Sequence, residues 1–335
     1  MYLRESYSKI GYGSKKLYKK KEKWRSKMQQ KIEAVKREIS KAVRGKDDII
    51  LKVLAAIFAG GHVLLEDIPG VGKTTLAMSI AKTLDLKYKR VQFTPDVLPS
   101  DLLGFSMYNS SNREFEYKEG AVMCNLFLAD EINRTSPKTQ SALLEVMEEG
   151  NVTVDGVTRK LPEPFVVIAT ENPVGSSGTQ LLPESQLDRF MICLTMGYPA
   201  HEDAIDILKG NAGSPLSTLN GTMDAESLLE VKKQVNDMYV HDSIYEYIVN
   251  VVERTRENEY FYSGVSPRGS IALLRMAKAM AYMKGKKCVT PEEIKEVLGD
   301  VLGHRVILSS MARAEGMTEK EALMEVLKEI KVPRT

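Results

Sequence analysis

The chain has 335 residues, of which 43% are hydrophobic and 27% are charged, and a formal net charge of +2. These values are typical of a soluble globular protein of about two domains. No run of about 20 apolar residues could span a bilayer, and residues 1–20 are too polar and basic for a secretory signal, so we expect a cytoplasmic protein without membrane insertion. Cys124, Cys193 and Cys288 lack a CxxC spacing and a nearby His, which predicts buried free thiols rather than a metal site.

The amino-terminal segment is strongly basic, since residues 1–46 hold sixteen Lys and Arg against four Asp and Glu. Residues 1–20 show no apolar periodicity, whereas a helical spacing begins further along, at Met28, Ile32, Val35 and Ile39. The pattern predicts a basic, flexible arm over residues 1–27, followed by a helix that ends near Gly45. Such an arm could bind nucleic acid or an anionic surface, although a charge run is more often a solvated tail.

A glycine-rich turn follows the first predicted strand. An amphipathic helix is predicted over residues 49–57 and a buried strand over 62–65. The next residues, 67–75, have the sequence Asp-Ile-Pro-Gly-Val-Gly-Lys-Thr-Thr. This segment matches the phosphate-binding loop of nucleotide-binding proteins, except that Asp67 stands in place of the first glycine.

The groups of this loop complement the charge of a triphosphate. Gly70 and Gly72 let backbone N–H groups turn inward at the start of a helix, where the helix dipole favours an anion. Lys73 adds a cation, and the Thr74 hydroxyl can reach Mg²⁺. The cofactors are therefore predicted to be ATP and Mg²⁺, and the nucleotide-binding residues to be Gly70, Val71, Gly72, Lys73, Thr74 and Thr75.

An acidic pair, Asp130-Glu131, closes the next buried strand, predicted over residues 126–129. In open α/β folds the carboxyl ends of parallel strands meet where ligands bind. Asp130 is therefore predicted to hold Mg²⁺ together with Thr74, and Glu131 to polarise the water that attacks the γ-phosphate. An acidic pair at a strand end is otherwise a common solvated feature, and its position after a phosphate loop favours the catalytic interpretation.

The remaining elements complete an α/β pattern followed by a helical one. Further buried strands are predicted over 165–169 and 190–194, and Ser136 and Pro137 begin a helix that ends at Gly150. Alternating strands and helices predict a doubly wound parallel sheet. The strand pattern ceases after Pro199, and helices are predicted near 201–209, 226–238, 242–258, 268–284, 291–302 and 317–330.

Four segments resemble the MoxR family of AAA+ ATPases: GHVLLEDIPGVGKT (61–74), QFTPDVLPSDLLG (92–104), LADEINRTSPKTQSALLEVMEEG (128–150) and PESQLDRF (183–190). The resemblance extends from about Gly45 to Arg275. It implies an α/β fold in which a P-loop AAA+ core, a parallel sheet flanked by helices, occupies residues 28–198. A smaller all-helical lid domain is then expected over residues 199–335.

The resemblance also implies roles for three residues outside the phosphate loop. Asn172 matches the polar sensor that positions the attacking water, Arg189 matches the arginine finger that enters a neighbouring subunit's site, and Arg268 matches the second sensor on the lid. Asn172 could instead only shape a turn, and the two arginines could be plain surface residues. Arg134 is a weaker candidate for an interface or nucleotide contact.

Two inserts are expected by resemblance, near residues 101–124 and 150–164. The second is also visible in the residues themselves, because 151–154 and 157–161 alternate in polarity around Asp155-Gly156, a type I′ turn signal. Such a hairpin could push on a client protein or merely stiffen the subunit.

Three functions remain open at this stage. The resemblance implies a chaperone-like remodeller of protein complexes that forms a homo-oligomer, a hexameric ring, and often acts with a partner carrying a von Willebrand factor A domain. A nucleic-acid motor is the main rival, since the basic arm could hold a phosphate backbone, but no further nucleic-acid motif supports it. The ATPase subunit of a metal chelatase would share the same core.

Overall fold

The computed structural model describes the backbone of four stretches, and side chains from Trp24 onward apart from Ile207. Residues 1–11 of the predicted arm and Pro69 of the phosphate loop lie outside these stretches. The described ranges are 12–68, 70–172, 182–209 and 216–333.

The described residues form eleven short strands and thirteen α-helices. The strands are β1 (Val63–Glu66), β2 (Tyr88–Gln92), β3 (Gly104–Asn109), β4 (Glu114–Glu119), β5 (Leu126–Asp130), β6 (Asn151–Val154), β7 (Val157–Lys160), β8 (Val166–Glu171), β9 (Ile192–Leu194), β10 (Phe261–Ser263) and β11 (Ile307–Leu308). The α-helices are α1 (Tyr12–Ala42), α2 (Asp47–Phe58), α3 (Lys73–Thr83), α4 (Pro99–Leu103), α5 (Pro137–Glu149), α6 (Glu184–Leu187), α7 (His201–Leu208), α8 (Ala225–Asn236), α9 (Asp242–Glu257), α10 (Pro267–Met283), α11 (Pro291–Leu302), α12 (Ser310–Ala314) and α13 (Glu319–Glu329).

The central sheet has five parallel strands in the order β2-β5-β8-β1-β9. Four of them are the predicted apolar runs, which are buried because helices cover both faces of the sheet. The strand β2 was not predicted, since its sequence YKRVQ is half polar and partly exposed. The strand β2 lies at the edge of the sheet and has a neighbouring strand on one side only. Its side chains are therefore less covered than those of the central strands, and it needs no continuous apolar run.

Apolar side chains pack on both faces of this sheet. One face carries Leu65 and Ile168, which join a cluster that continues through α1 to α3 into the lid helices. The other face carries Phe127 and Val167, which pack against α5 through residues such as Leu143. The lid helices and the sheet therefore share one continuous core on the first face. Cys124 and Cys193 are buried as predicted, while Cys288 is half-buried.

The amino-terminal helix is longer than the sequence predicted. The apolar stripe from Met28 to Ile39 is buried, but α1 begins at Tyr12, so residues 12–27 of the predicted arm are helical. The Arg25 guanidinium lies 5.4 Å from the centroid of the Tyr282 ring and donates a hydrogen bond to the Lys286 carbonyl. Lys, Glu and Arg have high helix propensity, so a helix can extend through a segment that has no apolar period.

The described part of the lid is largely helical. The six helices predicted after Pro199 are present as α7, α8, α9, α10, α11 and α13, with ends that differ by a residue or two. The short antiparallel pair β10 and β11 lies among them and was not predicted, because segments of two or three residues are too short to show a period. In the part of the chain that the structure describes, no helix is both long and apolar enough to cross a membrane.

Both predicted inserts contain a β-hairpin. Strands β6 and β7 pair with Val154 opposite Val157, and the turn residues Asp155 and Gly156 have φ of 52° and 76°, as the type I′ prediction requires. Strands β3 and β4 form the other hairpin directly after α4. The two hairpins meet where the Arg159 guanidinium lies 3.9 Å from the centroid of the Tyr117 ring.

Candidate active site

The phosphate loop connects β1 to α3 and is shaped by two glycines. Gly70 and Gly72 have φ of 86° and 95°, a backbone conformation that other residues adopt at a cost. A Cβ atom built on Gly70 would have no neighbour within 4 Å, so the loop encloses open space. Gly72 is the N-cap of α3. The first N–H groups of that helix therefore face the kind of cradle in which phosphate oxygens bind.

Lys73 is the first residue of α3, directly after the loop. Its Nζ atom donates a hydrogen bond of 2.5 Å to the Asp67 carbonyl. Burial lowers the pKa of Lys73, and the nearby carboxylates of Asp67, Asp130 and Glu131 partly oppose that shift. The lysine and the acidic pair, some 57 residues apart, are thus close enough to interact.

Asp67, the departure from the loop pattern, has a structural role. Its carboxylate accepts hydrogen bonds from the N–H groups of Ile68, at 2.9 Å, and Gly197, at 2.6 Å. Asp67 does not have a positive φ, so its position does not require glycine. Lys46 binds the same segment, at the carbonyls of Met196 and Tyr198. The phosphate loop is therefore tied to the chain that leads into the lid.

Asp130 and Glu131 lie at the carboxyl end of β5. Asp130 accepts hydrogen bonds of 2.6 Å from both the Arg90 Nη2 atom and the Thr170 hydroxyl. Glu131 has φ of 57°, a conformation that is uncommon outside glycine and concentrates at functional sites. Its side chain accepts a 2.7 Å hydrogen bond from Arg134, and its backbone N–H donates to the Thr170 hydroxyl.

Arg90 and Thr170 were missed by the sequence analysis. Thr170 immediately follows the predicted strand 165–169, so the rule that ligands gather at carboxyl ends of parallel strands could have identified it. Arg90 lies on β2, for which the sequence carried no signal. Arg134, the weaker candidate, contacts the Glu131 carboxylate of its own chain.

Asn172 follows β8 at this same edge of the sheet. The Nδ2 atom of buried Asn133 donates a 3.3 Å hydrogen bond to the Asn172 carbonyl, which links the candidate sensor to the segment after the acidic pair. Next to it, Glu171 is buried, and burial together with the nearby Glu66 raises its pKa to about 7. The position of Asn172 fits a sensor, and its role stays a prediction.

A side pocket of about 260 Å³ opens beside the phosphate loop. It is lined by loop residues including Gly72 and Thr75, by Val43 and Lys46 after α1, and by Asp203 of α7. A nucleotide whose phosphates occupied the loop would have its base and ribose near this pocket. This pocket has no signal in the sequence, because its walls come from three separate segments of the chain.

Arg189 and Arg268 are brought together, but not at the phosphate loop. Both contact Glu148: Arg189 Nη2 lies 3.4 Å from Oε2, and Arg268 donates to Oε1. They line a cavity of about 400 Å³ together with Gly61 and His62. The Arg189 Nε atom is buried and has no hydrogen-bond partner among the described residues.

This cavity lies at the edge of the sheet opposite the phosphate loop. Gly61 and His62 precede β1, whereas the loop follows it, and four extended residues span about 13 Å. The His62 Nε2 atom is 3.0 Å from the Met147 carbonyl, which places the end of α5 at the same edge. Arg189 and Arg268 thus lie about a strand length from the phosphate loop of their own chain.

The lid holds the segment that carries Arg189. The Arg305 side chain is only 3% exposed, and it binds Asp188 through Nε at 2.7 Å and the Phe190 carbonyl through Nη2 at 2.6 Å. Ser266, the N-cap of α10, donates a 3.0 Å hydrogen bond to the other carboxylate oxygen of Asp188. The segment that carries Arg189 and the lid are therefore directly connected.

Comparisons with known proteins agree with this architecture. The model of the ATPase family associated with various cellular activities (AAA) matches residues 62–192, and that of the AAA lid domain matches 253–326. The chain is 48% identical to the uncharacterized protein YeaC of Bacillus subtilis, over 88% of this chain and 92% of that protein. It is 35% identical to the chaperone MoxR1 of Mycobacterium tuberculosis, over 89% and 81%. A crystal structure from Cytophaga hutchinsonii, provisionally described as an ATPase, superposes with a TM-score of 0.87 at 39% identity and covers 95% of this chain and 99% of that one.

Proposed function

This chain belongs to the MoxR family of AAA+ ATPases, and we propose that it forms a homo-oligomeric ring, a hexamer, that uses ATP hydrolysis to remodel or activate protein complexes. A partner with a von Willebrand factor A domain would recruit or present the client. The name of the relative MoxR1 describes a chaperone, which supports the same class of function.

The separation of the two halves of the site carries this proposal. The phosphate loop and the acidic pair lie at the carboxyl edge of the sheet, while Arg189 and Arg268 lie at the amino edge. The arginines of one chain cannot contact the nucleotide bound to that same chain without a large rearrangement. In a ring, the amino edge of the sheet in one subunit can face the carboxyl edge of the sheet in its neighbour. The arginines of one subunit would then lie near the nucleotide of the next.

Within one subunit, the residues divide the chemistry between them. Lys73 and the N–H groups at the start of α3 would hold the β- and γ-phosphates, and Thr74 with Asp130 would hold Mg²⁺, which neutralises charge between those phosphates when bound. Glu131 would orient and polarise the attacking water, with Asn172 fixing its position. Since Arg134 binds the Glu131 carboxylate at 2.7 Å, that contact would have to loosen before Glu131 can act on water.

The β3–β4 hairpin favours a protein client over nucleic acid. Phe115 and Tyr108, 75% and 52% exposed, pack edge to face at the tip of the β3–β4 hairpin with ring centroids 5.4 Å apart. Residues 104–119 carry two basic and three acidic side chains, so this hairpin has no positive surface for a phosphate backbone. Exposed aromatic residues on a surface of balanced charge suit contact with a polypeptide.

The test combines oligomer mass, client retention and DNA binding. Glu131→Gln should retain ATP and, with it, a client protein in cells, whereas Lys73→Ala, which cannot hold ATP, should not retain that client. The purified protein with ATP should have the mass of a ring by light scattering. Retention of no protein by Glu131→Gln, together with salt-dependent binding of labelled DNA by the purified chain, would instead identify a nucleic-acid motor.

A further inference from the structure

We propose that Glu148 is a positioning residue that holds Arg189 and Arg268 as one pair, so that both guanidinium groups meet the γ-phosphate bound by the neighbouring subunit. This inference rests on the proposed ring, in which the two arginines act in trans. It assigns to Glu148 a part in the neighbour's reaction, although Glu148 itself would touch neither nucleotide nor water.

The backbone around Glu148 is fixed. Glu148 lies in the last turn of α5, where Met147 is buried in the core and its carbonyl contacts the His62 ring at 3.0 Å. Gly150 caps the helix with φ of 67°, and its N–H donates to the Val146 carbonyl at 3.0 Å. The carboxylate of Glu148 therefore extends from a rigid platform into the 400 Å³ cavity.

The charges of this cavity explain why the carboxylate is needed. Arg189, Arg268, Arg275 and Arg305 all line it. Asp188 neutralises Arg305, and Arg275 is directed to the carbonyls of Ala59 and Gly60. The remaining two guanidinium groups would repel each other if left alone, and Glu148 places one carboxylate oxygen against each of them.

The pair still has hydrogen-bond donors for an incoming phosphate. A guanidinium has five N–H donors, and the ion pairs with Glu148 involve one Nη2 atom of each arginine. The Arg189 Nε atom is buried without a partner among the described residues. The Arg189 and Arg268 side chains are 30% and 50% exposed, so a phosphate oxygen from a neighbouring subunit would meet their exposed N–H groups rather than this buried one.

The two arginines are also fixed to one frame by their backbones. Arg189 follows Asp188, which Arg305 and Ser266 of the lid both bind. Arg268 lies two residues after Ser266, in the first turn of α10. Their main chains are thus joined through Asp188, and Glu148 joins the ends of their side chains.

The first experiment measures ATP hydrolysis by Glu148→Ala against the matched variant Glu149→Ala. Glu149 is the next residue on α5, has the same charge and is exposed. Glu148→Ala should lower kcat by about tenfold to 10²-fold, the range expected for misplaced catalytic groups, while the KM for ATP stays nearly constant. Glu148→Asp should recover part of the loss, and Glu149→Ala should hydrolyse ATP like the unmodified chain.

The second experiment separates a defect in trans from damage to the variant's own site. Glu148→Ala and Glu131→Gln subunits, carrying different affinity tags, are co-expressed and purified through both tags, so that every assembly is mixed. Glu131→Gln subunits supply an intact arginine pair to Glu148→Ala sites, and hydrolysis should exceed that of either variant alone. No increase would place the defect within the variant's own site and overturn the inference.

Two results distinguish this inference from the proposed ring. If Arg189→Ala hydrolysed ATP normally, the proposed action in trans would be wrong. If Arg189→Ala were inactive but Glu148→Ala kept its full kcat, only the role of Glu148 would be wrong. A kcat above that of the unmodified chain would show that Glu148 blocks the arginines rather than positions them, and would also overturn the inference.

Discussion

Lys73 and Glu131 have different proposed roles at the γ-phosphate, so substitutions of the two residues should have different effects. Lys73→Ala removes the cation of the phosphate loop, so it should weaken nucleotide binding and abolish hydrolysis. Glu131→Gln removes only the charge that polarises water, so it should bind ATP and still not hydrolyse it. Titration with a fluorescent ATP analogue and a phosphate-release assay measure the two effects. Hydrolysis by Glu131→Gln at the unmodified rate would contradict the assignment of Glu131.

Asp67 should stabilise the fold rather than weaken nucleotide binding. Asp67→Gly restores the usual loop residue but loses the hydrogen bonds to the N–H groups of Ile68 and Gly197. We expect the free energy of unfolding to fall by about 1–3 kcal/mol, measured by urea denaturation. Asp67→Asn keeps an oxygen acceptor, so its free energy of unfolding should fall by less than that of Asp67→Gly. An Asp67→Gly variant as stable as the unmodified chain would show that the Gly197 contact contributes nothing.

His304 should make the protein sensitive to mild acid. Burial of the ring, together with nearby Arg305, lowers the pKa of His304 to about 3, whereas an unfolded histidine titrates near 6.5. Below pH 6.5 the unfolded state gains a proton that the native state does not, so this stabilisation is present above pH 6.5 and is lost as the pH falls toward 3.

The variant that tests this pH dependence is His304→Gln, which has no titrating ring. Its amide can donate to the Phe190 carbonyl in place of the ring Nε2. Between pH 7 and pH 5 its free energy of unfolding should fall by about 2 kcal/mol less than that of the unmodified chain. Glu171, with its pKa raised to about 7, acts in the opposite direction in both proteins and cancels in the comparison. Parallel pH profiles from thermal unfolding would contradict the prediction.

At the scale of elements, the helix α1 carries much of the basic amino-terminal segment and packs against the lid. Deleting residues 1–27 removes the packing of Trp24 and the contacts of Arg25 with Tyr282 and Lys286. We expect ATP hydrolysis to remain largely intact and stability to fall by about 1–3 kcal/mol, because the helix from Met28 onward keeps its buried stripe. Deleting residues 1–11 is the control and should leave those contacts in place. A 1–27 deletion that does not fold would show that this segment is essential to the structure.

The elements that the sequence predicts correctly are those with a strong local pattern in their residues. Four buried strands, the helix capped by Ser136 and Gly150, and the hairpin around Asp155-Gly156 follow from apolar runs, caps and turn residues. The phosphate loop and acidic pair follow from short motifs. By contrast, β2 and the β10–β11 pair have no apolar period, and the contacts of Glu148 depend on packing between segments that are distant in sequence. Such tertiary contacts leave no local pattern to detect.

At the scale of the whole molecule, the sheet separates two incomplete sites. We propose that one edge binds phosphate and activates water, and that the other carries the arginines that stabilise charge on the phosphoryl group transferred in the neighbouring subunit. The lid connects them, because Asp67 ties the phosphate loop to Gly197 in the chain that enters the lid, while Arg305 of the lid binds Asp188, the neighbour of Arg189.

The most direct test of this arrangement measures ATP hydrolysis by Arg189→Ala alone and in mixed assemblies with Glu131→Gln, purified through two different tags. An arginine supplied in trans can contribute roughly 10³-fold or more to phosphoryl transfer, so Arg189→Ala alone should bind ATP and hydrolyse it poorly. In the mixed assemblies, Arg189→Ala sites that face an intact arginine should regain activity above that of either variant. Full hydrolysis by Arg189→Ala alone would contradict the account, since each chain would then complete its own site.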